Sequence, residues 1–490
     1  MKSFRCILIA ILLLSPFTIH LSPLSATTYY ASPNGTGDGK SYSQPTTFTN
    51  GISKLKNAGD TLYVLGGTYT FTDKVSVNKQ GSSSKRIVIA GYPGEKAILD
   101  FHKVTYGTRG LTIHSEALYV HVKDLSIGYS GKNNLYCEGS YCLFENLDIY
   151  GSADTGCQMK KGGNNTIINC DSHDNFDYET MSNGTANFGG NADGFADKQH
   201  NGAPNHYIGC RAWNNSDDGW DFYQRVTTSQ TVIENCICFQ NGPTYYNMTN
   251  HPRYETDKAW FDSKVGTQMK DRYGNTITIT LDKYPCQGNG NGFKMGGGQT
   301  DHKLLIHHCL AVGNNARGFD QNNNAGTMWV YNNSAYKNAT NYGFTTAVGT
   351  NYMRNNISLS GTNDDQPKSK DNKANDHNTW NSGLSASSSD FLSLDTTQIL
   401  AARKEDGALT EGTFMHLKDG SKLIDAGVDI GLSYNGDAPD LGCYETEEHH
   451  DPSDLDETPS ALRPRKYIQE GTLLIQRGAL IYDAFGRRIR

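Results

Sequence analysis

Short motifs recur through the middle of the chain at nearly constant intervals, and this repetition restricts the fold more than any other feature. In one series, segments such as Ile-Asn-Cys-Asp and Glu-Asn-Cys-Ile align on one position. The aligned positions are Leu147, Cys170, Cys210, Cys236, Cys309, Ser334 and Ile357. An asparagine often follows four or five positions later, at 175, 215, 241, 314 and 338. Only the intervals that end at Cys210 and at Cys309 are long.

A second series, in which a glycine precedes an apolar residue, keeps step with the first. Its apolar positions are Cys157, Phe195, Trp220, Phe293, Phe319 and Phe344, and its two long intervals coincide with those of the first series. Repeat periods of about 20–50 residues are typical of solenoids. The two-residue alternation and the Asn/Gly turns predict an all-β solenoid, which we interpret as a right-handed parallel β-helix. The long intervals predict inserted loops, the larger with a hairpin at 275–283.

The segment 1–26 has the pattern of a secretory signal peptide. Lys2 and Arg5 precede an apolar run at 7–14, and the small residue Ala26 follows it. A membrane anchor is the alternative, although the run is short for a bilayer span. The sequence therefore predicts an exported protein, periplasmic, on the cell surface or secreted, without a stable membrane span.

The composition divides the rest of the chain into three parts. Residues 27–444 are predicted to form the β-helix, with an N-terminal cap and first turn at 27–70. Residues 445–460 are rich in acids and are predicted to be a linker. Residues 461–490 are predicted to form a small C-terminal tail with a hairpin. This tail resembles the C-terminal tails of exported Bacteroidetes proteins.

Charge and cysteine content exclude several classes of protein. The formal net charge of −7 argues against nucleic acid as a partner, and we expect a monomer. Export favours disulfides, whereas the repeat spacing favours buried thiols in one inward row, and both interpretations remain open. No cysteine pair has the spacing of a structural zinc site.

Four aspartates are predicted to converge on one face of the β-helix. Asp193 and Asp218 directly precede glycines of the second series in adjacent turns, Asp217 is next to Asp218, and Asp221 follows Trp220. Clustered carboxylates repel one another unless a cation holds them, and ligand sets made only of oxygen favour calcium. A solvated acidic face is the alternative interpretation.

Lys294 occupies the same outward position as Asp221, one turn further along. A free lysine titrates near about 10.4, and bound cations nearby would lower its pKa by disfavouring its charge. Lys294 is therefore a candidate general base. The alternative is a structural ion pair with Asp221 or Asp320.

Calcium and a lysine base on a β-helix are suited to β-elimination from a uronic acid. The cation would bind the substrate carboxylate and disperse the negative charge that develops on proton loss. The lysine would remove the C5 proton, and the 4-linked oxygen would leave. The cation also bridges an anionic polymer and a protein of net negative charge.

Four segments carry a resemblance to a known family. They are Asn191-Ala-Asp-Gly-Phe-Ala-Asp-Lys, Ser216-Asp-Asp-Gly-Trp-Asp, Asn289-Gly-Asn-Gly-Phe-Lys and Arg317-Gly-Phe-Asp-Gln-Asn. Over 28–445 the chain resembles family 9 polysaccharide lyases, parallel β-helix enzymes that cleave pectate or rhamnogalacturonan I. The resemblance implies that Asp193, Asp217, Asp218 and Asp221 ligate calcium and that Lys294 is the Brønsted base. The segment 242–285 looks inserted, which leaves homogalacturonan and rhamnogalacturonan I as alternative substrates.

Four further residues are predicted to bind the substrate. Arg317 precedes a glycine of the second series, and its guanidinium suits a uronate carboxylate. A structural ion pair between Arg317 and Asp320 is the alternative. Lys198, Tyr223 and Asn322 share one outward row further along the strands, and they are weaker candidates.

We therefore predict a secreted, calcium-dependent lyase that cleaves the galacturonic-acid-containing backbone of pectin. One alternative is a β-helix glycoside hydrolase with paired carboxylates as acid and base, which gives Lys294 no role. The other is a non-catalytic, glycan-binding β-helix, in which exposed aromatic residues would dominate.

Overall fold

The protein is described by a computed structural model that covers residues 26–368, 374–381 and 383–446, together with the backbone of the strands Arg465–Gln469, Thr472–Arg477 and Leu480–Asp483. The predicted signal peptide, up to residue 25, and the predicted linker beyond residue 446 lie outside the described residues. The chain divides into the units Met1–Thr446 and Glu447–Arg490. In the second unit the three strands pair antiparallel, one strand more than the predicted hairpin.

The first unit coils into three long parallel sheets, here called the first sheet, the second sheet and the site sheet. The first sheet contains the strands Thr28–Ala31, Thr61–Val64, Ile87–Gly91, Val120–Lys123, Leu143–Glu145, Thr166–Ile168, His206–Ile208, Thr231–Glu234, Leu304–His307, Thr327–Tyr331, Thr350–Arg354 and Ala374–Asp376. The second sheet contains Gly67–Thr70, Ala97–Asp100, Ser126–Gly128, Asp148–Tyr150, Asp171–His173, Arg211–Trp213, Ile237–Phe239, Leu310–Val312, Ser334–Tyr336 and Ile357–Leu359. The site sheet contains Val75–Val77, Leu111–Ile113, Leu135–Cys137, Cys157–Met159, Phe195–Asp197, Trp220–Asp221, Phe293–Lys294, Arg317–Asp320, Thr340–Phe344 and Gln366–Pro367.

Each turn pairs in parallel with the next, so the predicted right-handed parallel β-helix is confirmed. Outside the three sheets, the described residues form short elements. Apart from the strands of the larger inserted loop, these are the α-helices Phe48–Lys54 and Lys258–Lys264, the 3₁₀ helices Ser388–Asp390 and Thr396–Leu400, and the strand pairs Met181–Ser182 with Thr185–Ala186 and Asn201–Gly202 with Val226–Thr227. None of the described helices is long and apolar enough to cross a bilayer.

Aromatic rings from five successive turns stack inside the coil, behind the site sheet. Neighbouring ring centroids lie between 4.6 and 5.1 Å apart. The rings belong to Phe195, Trp220, Phe293, Phe319 and Tyr342. This separation matches the distance of about 4.8 Å between adjacent strands, so each ring is held in step with its strand. The outward residues of the same strands therefore stand on a close-packed base.

A ladder of buried asparagine side chains runs along the corner between the second sheet and the site sheet. Each amide nitrogen donates to the amide oxygen of the next turn at 2.7 to 2.9 Å. The members are Asn175, Asn215, Asn241, Asn314 and Asn338. Each amide oxygen also accepts from the backbone N–H of the preceding member, as Asn241 does from Asn215 at 3.1 Å. These bonds satisfy polar groups that burial would otherwise leave unpaired.

The glycines of the second series allow the chain to pass close to this ladder. A Cβ on Gly219 would lie 2.6 Å from the carbonyl oxygen of Gly292 and 3.0 Å from the amide nitrogen of Asn241. A Cβ on Gly194 would lie 2.9 Å from the amide nitrogen of Asn215. The glycine before each of these inward rings is therefore explained by space, because a side chain there would push the strand away from the asparagine ladder.

We expect Asn241→Ala to lower the free energy of unfolding by about 2–4 kcal/mol, because it leaves the buried backbone N–H and one side-chain N–H of Asn215 without an acceptor and removes one of the two bonds to the Asn314 oxygen. Urea denaturation followed by circular dichroism measures this loss. Asn50→Ala, at an exposed position in a helix, is the control and should change stability by no more than about 0.5 kcal/mol. Equal stability of the two variants would show that the ladder contributes little.

The structure corrects the sequence alignment in the last turns. Leu310 pairs with Ser334, so Cys309 lies beside Asn333, whose side-chain oxygen accepts from the Cys309 N–H at 3.0 Å. A shift of one residue reverses the side that a strand residue faces. Ser334 and Ile357 therefore face outward, where Ile357 joins a second hydrophobic cluster. The prediction was wrong there because a buried asparagine, assigned to a turn, takes the inward place of the cysteines.

The last member of the second series is also displaced. Phe319 pairs with Tyr342, two positions before the predicted partner Phe344. A two-residue shift preserves the side of the sheet, and both Tyr342 and Phe344 are fully buried. Two aromatic residues in alternating positions can each fill the inward row, so the repeat pattern alone does not distinguish them.

All ten cysteines among the described residues are buried free thiols, which confirms one of the two interpretations of their spacing. Cys170, Cys210, Cys236 and Cys309 follow one another in the same inward row. Cys210 and Cys236 donate their backbone N–H groups to the sulfur of the next member at 3.4 Å. The row therefore acts as apolar core with weak hydrogen bonds.

The larger inserted loop, here called the lobe (residues 242–288), packs in a small hydrophobic core that it shares with Ala153 and with Phe176, Tyr178 and Phe188. It contains the helix Lys258–Lys264 and the antiparallel pairs Tyr245–Tyr246 with Tyr284–Pro285 and Gln268–Lys270 with Thr276–Thr278. The hairpin thus begins before the predicted 275–283, because its turn lies at Asp271, whose side chain accepts from the N–H groups of Tyr273 and Asn275 at 2.9 and 2.8 Å. The lobe is anchored by the buried Arg253, which donates to the Val104 and Tyr129 carbonyls at 3.0 and 3.1 Å.

Candidate active site

The outward row of the site sheet brings the predicted residues of successive turns into line. The pairs are Gln158 with Ala196, Ala196 with Asp221, Asp221 with Lys294, and Lys294 with Asp320. This is the order that the repeat spacing predicts. The strand pairing therefore places the lysine directly between two carboxylate-bearing turns.

Three of the four predicted aspartates form one compact cluster. Oxygen atoms of Asp193, Asp218 and Asp221 all lie within 4.8 Å of one another, and all three side chains are buried. Calcium binds oxygen ligands at about 2.3–2.6 Å, so oxygens that share one ion can be no more than about 5 Å apart. The separation and the donor set, oxygen without nitrogen or sulfur, both fit a hard divalent cation.

Hydrogen bonds from neighbouring turns orient each carboxylate of the cluster. Asp193 accepts from the Asp218 N–H at 3.2 Å and from the Thr155 hydroxyl at 2.9 Å. Asp218 accepts from the backbone and side-chain nitrogens of Asn291 at 2.9 and 2.8 Å. Asp221 accepts from the N–H of Tyr223 at 2.8 Å. Most of these bonds join adjacent turns, so the register of the coil sets the geometry of the cluster.

Asp217 lies beside this cluster rather than in it. One of its oxygens accepts from the Asn289 N–H at 2.9 Å, and it does not belong to the group whose oxygens all lie within 4.8 Å of one another. Burial and then the charge of Asp218 raise the pKa of Asp217 well above its usual range. Burial and Asp218 therefore favour the neutral form of Asp217, which a cation bound beside it would reverse.

Two lysines, rather than one, contact the carboxylates. Lys294 Nζ lies 2.9 Å from Asp218 and 3.4 Å from Asp221. Lys198 Nζ lies 2.6 Å from Asp193 and 3.0 Å from Asp221. The sequence pattern placed Lys198 in a row further along the strands, but its long side chain reaches back to the cluster. Its position in the same short segment as Asp193 is the sequence signal for this contact.

Burial and charge act in opposite directions on these groups. Burial raises the pKa of Asp193 to about 7 and also raises the pKa of Asp218. At Asp221 burial would raise the pKa, but the two lysines outweigh it and lower the pKa. Burial alone would lower the pKa of Lys294, and attraction to Asp218 and Asp221 raises it instead. Attraction between the lysines and Asp221 therefore stabilises those charges, whereas burial favours the neutral forms of Asp193 and Asp218.

The remaining substrate-binding candidates flank the cluster. Arg317 forms the ion pair with Asp320 that was the alternative to substrate binding, at 3.0 Å, and its side chain lies over Gly343. The ring of Tyr223 has its centroid 5.7 Å from Lys294 Nζ. Asn322 donates its side-chain N–H to the Gly296 carbonyl at 2.8 Å.

The sequence analysis missed two residues that support the cluster. Asn291 holds Asp218, and its own side-chain oxygen accepts from the Arg317 N–H at 3.1 Å. Thr155 holds Asp193 from the preceding turn. Thr155 and Asn291 each lie two residues before an inward member of the second series, as Asp193 and Asp218 do. These four residues therefore occupy equivalent positions in successive turns, which the repeat alone could have shown.

A cavity of about 420 Å³ lies between the second sheet and the C-terminal segment of the first unit, away from these residues. Its lining includes Arg211, Phe414 and Tyr444, and it contains neither lysine of the cluster and none of its carboxylates. We place the candidate active site at the cluster because the titratable groups converge there.

Comparison with known proteins supports the same assignment. Residues 29–257 and 262–363 match the family model described as the Pel9A-like, right-handed β-helix region. Pectate lyase L of Dickeya chrysanthemi is 35% identical over 437 residues, which cover 85% of this chain and 90% of the relative. The crystal structure of pectate lyase Pel9A superimposes with a TM-score of 0.71 at 33% identity, covering 86% of this chain and 97% of that chain.

A rhamnogalacturonan lyase structure shares the fold, with a TM-score of 0.61 at 23% identity over 80% of this chain and 97% of that one. The family match includes every residue of the carboxylate cluster and both of its lysines. The chain therefore belongs to the Pel9A-like right-handed β-helix family and is a polysaccharide lyase.

Proposed function

We propose that this protein is a calcium-dependent pectate lyase that cleaves the homogalacturonan backbone by β-elimination, with Lys294 as the Brønsted base. One observation carries the proposal: a lysine and three carboxylates meet at one point on the outward face of the site sheet. Relatives named as pectate lyases over most of the chain support homogalacturonan as the substrate.

Asp193, Asp218 and Asp221 would hold the calcium ion, and Asp217 would add negative charge beside it. Oxygen atoms of Asp193, Asp218 and Asp221 are buried and lie within 4.8 Å of one another, which suits coordination of a single ion by oxygen. When bound, calcium would neutralise the uronate carboxylate and stabilise the charge that develops at C5.

Lys294 would take the C5 proton on Nζ. The electron pair of the broken C–H bond forms the C4–C5 double bond, and the 4-linked oxygen leaves with the departing chain. A base must be neutral before it accepts a proton. Burial favours the neutral form of Lys294, whereas Asp218 and Asp221 favour the charged form. Engagement of those carboxylates by a cation would leave burial as the dominant influence.

Arg317, Tyr223, Asn322 and Lys198 are proposed to bind the substrate. Arg317 keeps about a third of its side chain exposed beside the paired Asp320, so its guanidinium can also meet a uronate carboxylate. Lys198 already contacts two carboxylates of the cluster, which would place a second positive charge close to the sugar that reacts.

We also propose that the protein is exported by its N-terminal signal peptide, that it comes from a Bacteroidetes bacterium and that it is a monomer.

The product distinguishes this function from its alternatives. Incubated with polygalacturonate and calcium, the protein should release unsaturated oligosaccharides that absorb in the ultraviolet, and a calcium chelator should abolish the signal until excess calcium restores it. New reducing ends without absorbance would indicate a hydrolase instead. Retention of polymer without any cleavage would indicate a glycan-binding protein, and faster release from rhamnogalacturonan I would reassign the substrate.

A further inference from the structure

Basic side chains that the proposed chemistry does not use lie on the N-terminal half of the site sheet. Tyr136 pairs with Gln158, which pairs with Ala196 and then Asp221. Tyr136 is therefore three turns from Asp221, a distance of about 14 Å along the coil, and Lys160, which follows the strand of Gln158, is one turn nearer to it. The guanidinium carbon of Arg109 lies 3.6 Å from the centroid of the Tyr136 ring. This contact fixes the position of the Arg109 charge at the surface of the sheet.

Arg109 and Lys160 form no ion pair with any described carboxylate. Arg109 Nε donates to the side-chain oxygen of Asn133 at 3.4 Å. Lys160 Nζ donates to the carbonyl oxygens of Lys198 and Gln199 at 3.3 and 2.8 Å. Neutral oxygens hold both side chains in place without cancelling their charge, so the charge remains available to an anion.

The basic residues in this region repel one another. Burial, followed by the positive charges of Lys198, Lys161 and Arg109, lowers the pKa of Lys160. The neighbouring Lys161 is different, because it is two-thirds exposed and lies 2.8 Å from Glu138. Arg109 and Lys160 are held close together with no ion pair of their own among the described residues, and this indicates a site for an anionic ligand.

We propose that Arg109 and Lys160 form a cationic subsite that binds a uronate carboxylate of the substrate chain, remote from the bond that is cleaved. The proposal rests on the proposed function, because it takes the ligand to be a polyuronate that lies along the site sheet. The charge-assisted hydrogen bonds that such a carboxylate would accept are the stronger kind.

Gln158 lies on the strand that leads to Lys160, one turn nearer to the cluster than Tyr136. Its side-chain oxygen accepts from Asn133 at 3.1 Å, and its amide nitrogen donates to none of the described residues, so it can meet a sugar hydroxyl in the turn of Lys160. A methyl ester at the remote position would carry no charge, so the subsite would select chains whose uronates are free there as well as at the reacting sugar.

The test compares long and short substrates. We expect the ratio of kcat/KM on polygalacturonate to kcat/KM on digalacturonate to fall about tenfold in R109Q and in K160Q, because a dimer has one sugar on each side of the cleaved bond and does not extend over the two turns between Asp221 and the strand before Lys160. Most of the change should appear in KM. K161Q removes an equal charge from a side chain paired with Glu138 and should keep the wild-type ratio. Thermal melting confirms that all three variants are folded.

An unchanged ratio in both R109Q and K160Q would overturn the proposal, as would an equal fall in K161Q, which would indicate general attraction of the polymer. Affinity electrophoresis in gels that contain polygalacturonate gives a second measurement. R109Q should be retarded less than K161Q. This measurement needs no turnover, so it tests the subsite separately from the lyase function. Failure of the lyase function would appear instead as absence of unsaturated product from the wild type.

Discussion

Replacement of Lys294 by alanine is expected to lower kcat on polygalacturonate by about 10²- to 10⁴-fold, the usual contribution of a general base. The substitution removes the only proposed acceptor for the C5 proton and leaves the three cluster carboxylates in place. Release of unsaturated product under saturating calcium measures the loss. Calorimetric titration should show that calcium still binds, because Lys294 is not a ligand.

Two arginine variants decide which lysine is the base. Lys294 and Lys198 both contact Asp221, at 3.4 and 3.0 Å, so contact alone does not separate them. Arginine keeps the positive charge but does not deprotonate. We expect Lys294→Arg to be as inactive as Lys294→Ala, and Lys198→Arg to retain turnover within about tenfold of the wild type. The reverse order would assign the base to Lys198, and near-normal activity of both variants would rule out a lysine base.

Asp218→Asn is expected to weaken calcium binding by at least about 100-fold, because even residues that only support a metal ligand contribute about 10–100-fold to affinity. The substitution keeps the side-chain oxygen that accepts from Asn291, so the local fold is preserved, and it removes the negative charge. Calorimetric titration with calcium measures the effect directly. Turnover should fall in parallel and should recover partly at high calcium concentration.

Asp320→Asn is the matched control for this variant. Asp320 is buried in the same outward row, one turn beyond Lys294, and pairs with Arg317. It lies outside the group of three carboxylates, so the calcium affinity of this variant should stay within about threefold of the wild type. Unchanged affinity in Asp218→Asn, or an equal loss in Asp320→Asn, would show that the cluster is not the calcium site.

Much of the site follows from the repeat because parallel pairing carries register from one turn to the next. The spacing predicts that Asp221 and Lys294 are neighbours across two strands, and the pairing confirms this although the whole lobe separates them in sequence. The same reasoning fails by one position at Ser334, where a buried asparagine replaces a cysteine. Hydrophobicity cannot identify an inward position that is stabilised by hydrogen bonds.

The register of the strands does not determine where a long side chain points. The row assignment of Lys198 follows its strand, yet its ammonium group lies at the cluster, because its flexible side chain can reach the nearest carboxylates. The lobe is a second example. Its packing depends on contacts such as that of Arg253 with the carbonyl of Val104, which is far away in the sequence, and a local pattern cannot predict such contacts.

The asparagine ladder has a consequence for how such enzymes can diversify. Both inserted segments leave the coil at this corner, after Asn175 and after Asn241, and both rejoin it before a strand of the site sheet. The amides of Asn175 and Asn241 bond to those of Asn215 and Asn314 at 2.7 and 2.9 Å, so each departure point is fastened to the same corner of the next turn independently of the length of the insertion. Evolution, or an engineer, can therefore exchange these loops to change substrate preference while the catalytic side chains keep their alignment.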